Sequence, residues 1–305
     1  MRRTVLAGLL VLLAPWARAA RPASADFLSL PLDVRALGMG EAAQALASGA
    51  GAVASNPAAI GGVRSNHAYF THSFLYAGVG SDYAGYGLTL GRHHLGASFH
   101  HVGYGTLESR DEQGTETGTY GPSDTVYGFT YGTDALGADL GATAKYVDSK
   151  IVASARTLTF DAGGQYRLGE DWILAASGHN IGGSLRYESE GRPLPTRAAA
   201  GAAWRAMEHW WLALDAVIPV YDPAYVAIGS EYELAVKDVG AAAFRLGVNT
   251  RTPDLGNFGG LRIGLGLRVK DSVDIDYAFN PAGDLGSTHH FAVGYRFGGG
   301  RDSDR

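Results

Sequence analysis

The stretch Leu261-Arg262-Ile263-Gly264-Leu265-Gly266-Leu267-Arg268-Val269, followed after Lys270-Asp271-Ser272 by Val273-Asp274-Ile275-Asp276-Tyr277-Ala278-Phe279, decides the fold class. Every second residue is apolar, and the residues between are charged or small. Successive side chains of a strand point to opposite faces, so a period of two sorts these residues onto the two faces of a sheet. The short join at Lys270-Asp271-Ser272 suits an antiparallel hairpin. The last strand has the same character: Phe291, Val293, Tyr295 and Phe297 lie on one face, His290, Ala292, Gly294 and Arg296 on the other.

Carried back to residue 66, the alternation predicts about 14 strands. They fall near 67–76, 81–91, 94–104, 123–132, 138–149, 155–167, 171–181, 195–205, 208–218, 224–234, 239–250, 260–270, 272–280 and 287–297. Most are roughly ten residues long, the length a tilted strand needs to cross a bilayer. Connections after odd-numbered strands include the long ones, at 105–122, 182–194 and 251–259. Those after even-numbered strands are short, as at 92–93, 168–170 and 206–207. An even strand count with turns at one end and long loops at the other is the pattern of a transmembrane β-barrel.

A soluble sandwich is the competing reading of any alternating sheet. Two features count against it. The aromatics Tyr146, Tyr166, Trp204, Trp210, Tyr232, Tyr295 and Phe297 lie on the apolar face near strand ends, where interfacial girdles form. The opposite face mixes charge with Gly and Ala, which suits a narrow lumen better than a hydrated surface.

Composition narrows the function classes. A mean hydropathy of −0.04 is too low for a bundle of membrane-spanning helices. The absence of Cys excludes disulfides, thiolate metal sites and a Cys nucleophile. The formal charge of −5 argues against nucleic acid as a partner. At the N-terminus, Arg2 and Arg3 precede an apolar run from Val5 to Ala14, and small-x-small sites follow at Ala17-Arg18-Ala19 and Ala23-Ser24-Ala25. Residues 1–25 are therefore expected to be a signal peptide cleaved after 19 or 25. An exported barrel implies the outer membrane of a Gram-negative-type bacterium, with membrane lipid against its outer wall. Residues 26–65 lack strand alternation and are expected to be helical or irregular, broken at Asn56-Pro57. Residues 66–298 form the barrel, and 299–305 a disordered polar tail.

Charges on the lumen face fall in complementary neighbours. Glu231 and Glu233 precede Arg245 on the next strand, and Arg262 and Arg268 are expected to face Asp274 and Asp276. Lys145, Asp161, Arg167, Arg197, Arg205, Asp215 and Arg296 share that parity. A wide ion-selective pore would carry one dominant sign, so this mixture predicts a paired lining behind a plug. His occurs as doublets (His93-His94, His100-His101, His289-His290) whose members point to opposite faces and cannot chelate one ion. His290 could approach His67 or His72 if the barrel closes there. Asp215, Glu231 and Glu233 could hold a cation, but Arg245 is the nearer explanation for those acids. No His-Glu-x-x-His or Gly-x-Ser-x-Gly is present. The chain reads as non-enzymatic, with neither metal nor cofactor.

Arg35-Ala36-Leu37-Gly38-Met39-Gly40-Glu41-Ala42, followed by Asn56-Pro57-Ala58-Ala59-Ile60, resembles the N-terminal signature of the PorV/PorQ family, within the FadL-like outer-membrane proteins. The resemblance implies a 14-stranded barrel whose N-terminal segment folds into the lumen as a hatch, with Arg35, Leu37, Gly38, Met39, Gly40, Asn56 and Pro57 as its motif. The chain departs from the family's pattern at Ser48-Gly49, Ser55 and Ala59, which bears on ligand contacts more than on fold. Two functions follow from the resemblance: a conduit for small hydrophobic molecules, or an accessory barrel of a type IX-like secretion apparatus with secretion proteins as partners. A structural barrel without cargo is the third. For a conduit, Pro219, Pro223 and Gly163-Gly164 are the places where a weakened ladder would let cargo leave sideways. The loop from Gly105 to Pro122 is polar and offers little surface to a lipid tail.

Overall fold

The computed structural model describes residues 23–187, 190–251, 260–281 and 286–298. Most of the expected leader, the tail at 299–305 and most of the connection at 251–259 lie outside the described residues.

The barrel wall begins with β1 (Asn66–Phe74), β2 (Gly80–Leu90) and β3 (His93–Gly103). A small hairpin of β4 (Leu107–Arg110) and β5 (Glu116–Tyr120) then rises from the first long loop. The wall resumes with β6 (Ser123–Ala135), β7 (Ala138–Lys150), β8 (Ser154–Leu168) and β9 (Trp172–Ile181). A second loop hairpin follows, β10 (Ser184–Tyr187) with β11 (Glu190–Pro193). The rest of the wall is β12 (Arg197–Met207), β13 (Trp210–Pro219), β14 (Tyr225–Val236), β15 (Gly240–Asn249), β16 (Leu261–Val269), β17 (Val273–Pro281) and β18 (Ser287–Phe297). Fourteen strands thus close an antiparallel barrel, sealed where β1 pairs with β18 from Asn66↔Phe297 to Phe74↔His289. The predicted strands match these within a few residues. The two loop hairpins are new, because runs of four or five residues, in which only Leu185 is fully buried, are too short to show an alternation.

The outward face presents a continuous field of exposed apolar side chains, among them Phe129, Leu158, Ile228, Leu246, Leu265 and Val293. A folded chain in water does not leave so large an apolar surface bare, so this face meets lipid. Stacked Trp172 and Trp204, with ring centroids 5.9 Å apart, stand among the aromatics near the short-turn end. Each His doublet divides as expected: His94, His100 and His290 are buried, and their neighbours face outward.

The lumen is filled by the N-terminal segment. Its backbone makes 3-10 turns at Asp26–Ser29, Ala52–Ala54 and Pro57–Gly62, and one short helix, α1 (Val34–Gly38). Asp33 caps α1 by accepting the Arg35 N–H at 3.0 Å. The chain breaks at Asn56, which is extended between two 3-10 turns, and the same residues start the second turn: the Asn56 side chain accepts the Ala58 N–H at 3.0 Å, and Pro57 occupies a position that needs no N–H. The segment threads the barrel from end to end. At the loop end, the Ser24 N–H donates to Pro193 O at 2.9 Å, and Phe27 packs with Val102, Val126, Val147, Leu185 and Leu194. At the turn end, Thr89 Oγ1 donates to Val63 O.

The ladder corrects one expectation about the wall. Gly163 and Gly164 pair regularly with Ser177 and Ala176, and Pro219 pairs with Arg197 at a strand end, so neither interrupts the wall. The register instead shifts between Phe160 and Ala162, where His179 and Asn180 form a bulge in β9 and Asn180 adopts φ +55°. Asp161 and Lys145 close over this bulge. The Asn180 N–H donates to Asp161 at 2.8 Å, and Lys145 Nζ lies 2.7 Å from the same carboxylate.

Candidate functional site

The hatch meets the barrel on two walls, and each contact begins with glycine. A Gly on the lumen parity of a strand leaves a notch one side chain deep, and two Gly in register on neighbouring strands double its width. Four such pairs occur among the described residues: Gly229↔Gly247, Gly132↔Gly141, Gly141↔Gly163 and Gly87↔Gly96. A Cβ on Gly229 or Gly247 would run into the backbone of Met39. One on Gly141 would strike Pro57, one on Gly163 would strike Asn56, and one on Gly87 or Gly96 would press on Ile60. Gly38 lies against Gly264, where an added Cβ would sit 2.7 Å from the facing Cα. Gly40 is needed for a second reason, its left-handed φ of +70°. Of the motif residues, Gly38, Met39, Gly40, Asn56 and Pro57 thus lie against the wall, and Leu37 packs in a cluster with Tyr69, Tyr83, Ala278 and Ala292.

The wall of β14–β17 adds charge. Arg35 Nε and Nη2 donate to the two oxygens of Glu231 at 2.8 and 2.5 Å, and Nη1 donates to Leu46 O at 2.9 Å. Glu231 is fully buried, and Arg245 Nε reaches it from the other side at 2.6 Å. Arg245 Nη1 continues to Asp276 at 2.6 Å, crossing the strand of Gly264 and Gly266, whose missing side chains leave it room. Burial opposes the charge of Arg35, but Glu231 overcomes this and holds the guanidinium above its ordinary value. Asp33 is pushed above the usual carboxylate range by burial, partly offset by Arg35.

Two expected pairs are redrawn. Val269↔Val273 sets the register of the β16–β17 hairpin, which places Arg268 opposite Asp274 at 3.0 Å and carries Arg262 past both acids. Arg262 donates to Leu261 O at 3.0 Å and lies within electrostatic reach of Glu41. Glu233 stands opposite Ala243, two register positions from Arg245, and makes no ion pair among the described residues. Asp274 also holds Arg296 at 2.6 Å. Asp215 joins neither Glu231 nor Glu233; it accepts the Gln44 N–H at 2.9 Å. His290 bonds Ser73 at 2.7 Å, far along the seam from His67, which pairs with Arg296, and apart from His72, which pairs with Phe291. Among the described residues no group of three potential ligands could hold a metal ion.

The opposite wall is held by neutral bonds. Gln165 Nε2 donates to Gln44 O and Ala47 O, both at 2.9 Å, and Ser177 donates to Gln44 Oε1 at 2.7 Å. Asn249 on the first wall performs a similar task, donating to Gly40 O at 3.1 Å. These amides escaped the sequence reading. Their one available signal was a polar residue without charge on the lumen parity.

Among the described residues, cavities remain around the hatch. One of about 100 Å³ at the turn end touches Arg35, Glu233, Arg268, Asp274 and Arg296. One of about 520 Å³ opens at the loop end between the hatch and the rim of β12–β15. A third, about 50 Å³, lies deeper, between Leu28, Leu30 and Leu32 of the hatch and Val126, Lys145 and Asp161 of the wall.

This architecture is that of known channels. The chain is similar to the Pseudomonas putida toluene transporter TodX, with 12% identity over 85% of this chain and 95% of that one, at a TM-score of 0.58. A Pseudomonas aeruginosa FadL homologue gives 14% identity over 87% and 98%, at 0.57. The CymD monoaromatic hydrocarbon channel gives 11% identity over 88% and 97%, at 0.51. The chain shares their fold. No family model and no curated protein matches its sequence.

Proposed function

We propose that this protein is an outer-membrane channel, non-enzymatic, that passes small hydrophobic molecules through a lumen gated by its N-terminal hatch. The observation that carries this reading is the hatch itself. A segment threaded through the whole lumen and seated in complementary notches is a removable part of the barrel, and a wall meant only as scaffold has no use for one. The FadL-like fold supports the same reading, as do the residual cavities around the hatch. Uptake tests it. A strain lacking the gene should take up monoaromatic hydrocarbons and long-chain fatty acids more slowly than its parent; equal rates for all of them would remove the proposal.

The hatch motif, Arg35 to Ala42 with Asn56-Pro57, supports a finer placement with PorV/PorQ, and with it a role beside a type IX-like secretion apparatus. The polar loop from Gly105 to Pro122 and the paired charges of the lumen favour that second reading. Affinity purification of the native protein should then recover secretion components, and recovery of none from a genome lacking such machinery would discard it.

A further inference from the structure

Arg197 is shared by the linings of two cavities, the 520 Å³ vestibule at the loop end and the deeper cavity beneath the hatch leucines. Among the described residues its guanidinium makes no hydrogen bond and no ion pair, although it is half-buried. The neighbouring charges do not answer it. Asp161 is already shared by Lys145 at 2.7 Å, His179 at 3.4 Å and the Asn180 N–H at 2.8 Å. Arg251, the other cation of the vestibule, lies over the Tyr225 ring at 5.7 Å, donates to Ser29 O at 3.4 Å and faces Glu41 at 3.9 Å. The vestibule's acids, Asp26 and Asp222, are exposed at its rim.

An arginine with its N–H fork unused, half-withdrawn from water, is suited to receive a planar anion through two parallel hydrogen bonds. Around it the vestibule offers the rings of Tyr221 and Tyr225 and the faces of Pro195, Pro219 and Pro223, which favour a flat, apolar body. The other cavity that Arg197 lines measures only about 50 Å³, which leaves no room for a long chain while the hatch is seated.

We propose that the vestibule is a binding site for a compact carboxylic acid, aromatic by preference, whose carboxylate docks on Arg197 and whose body lies between Tyr221 and Tyr225. This narrows the cargo class and rests on the channel reading above. It sets the protein's preference apart from bare hydrocarbons, which have nothing to offer Arg197, and from long-chain acids, which outgrow the space.

The test uses the full-length barrel purified in detergent, with benzoate, toluene and oleate as probes in calorimetry and ligand-observed NMR. Benzoate should bind, and Arg197→Gln should weaken it roughly 10- to 100-fold, the worth of hydrogen bonds to a charged group, while leaving toluene unchanged. Arg197→Lys, which keeps charge but loses the fork, should fall between wild type and Arg197→Gln and serves if the latter fails to fold; the heat-modifiable mobility of the barrel reports folding. No benzoate binding by the wild type, unchanged binding in both variants, or tighter binding of oleate through the same Arg197 would each overturn the proposal. Passage of the probes into proteoliposomes is measured separately. A protein that binds benzoate through Arg197 but passes nothing keeps the site and loses the channel; the reverse keeps the channel and loses the site.

Discussion

The two halves of the hatch are held by different physics. Residues 33–41 sit against β14–β17, where the Gly229↔Gly247 notch is backed by the chain Arg35–Glu231–Arg245–Asp276. Residues 56–63 sit against β2, β3 and β6–β8, in notches made by Gly141↔Gly163 and Gly87↔Gly96, with Asn56 and Gln165 as the polar fasteners. Shape is common to both halves; charge belongs to the first. Packing in a notch weakens steeply once the fit is lost, whereas an ion pair reaches further and can exchange partners. Arg245 already touches two carboxylates, so it can keep Glu231 when Arg35 leaves. On the channel reading, release of the first half leaves Glu231 still bonded to Arg245, which then serves two carboxylates, whereas the second half is held by fit and neutral bonds.

Gly247→Val should break this contrast most severely. Its side chain has no space beside Met39 and Gly40, so the first half cannot dock at all. Limited proteolysis should cut within residues 33–41 while the barrel keeps its heat-modifiable mobility; an uncut hatch would show that the notch is not essential. Arg35→Met should have the next largest effect, about 2–3 kcal/mol of hatch docking, because a buried charged bond is lost although Arg245 remains on Glu231. The corresponding double-mutant cycle with Glu231→Gln, read by hydrogen exchange over α1, should give strong coupling, and additive effects would deny the latch. On the opposite wall, Asn56→Ala removes a helical cap and should cost about 1 kcal/mol, visible as faster exchange of the Ala58 amide. Ile60→Val should cost least, about 1 kcal/mol or below, because its neighbours at Gly87, Gly96 and Gly132 leave only methyl contacts to lose. Equal losses from Arg35→Met and Ile60→Val would erase the distinction between the walls.

How far these features were legible follows from which of them depend on register. Glu231 with Arg245 and Arg268 with Asp274 lie on adjoining strands near short turns, where a slip of one residue would turn an apolar face inward, so parity almost forces the pairing. Arg262 and Glu233 share the parity but not the row, and the row depends on where each turn begins. The role of Gly264 shows the same limit. It stands out in the sequence as a small residue on a charged face, yet its partner Gly38 lies more than two hundred positions away and nothing local connects them. Asn56-Pro57 was visible as punctuation; that it opens a turn is settled by the Asn56 side chain meeting the Ala58 N–H.

The sequence by itself determined the strands, their two faces, the lipid-facing wall and the presence of a separate N-terminal segment, because each is a matter of periodicity over a few residues. The tertiary structure decided where that segment runs, which glycines face one another, which acid Arg35 takes and that Arg197 takes none among the described residues. Those depend on closing a ring of fourteen strands. Only closure fixes the stagger between strands far apart in the chain, and with it the shape of the space the hatch must fill.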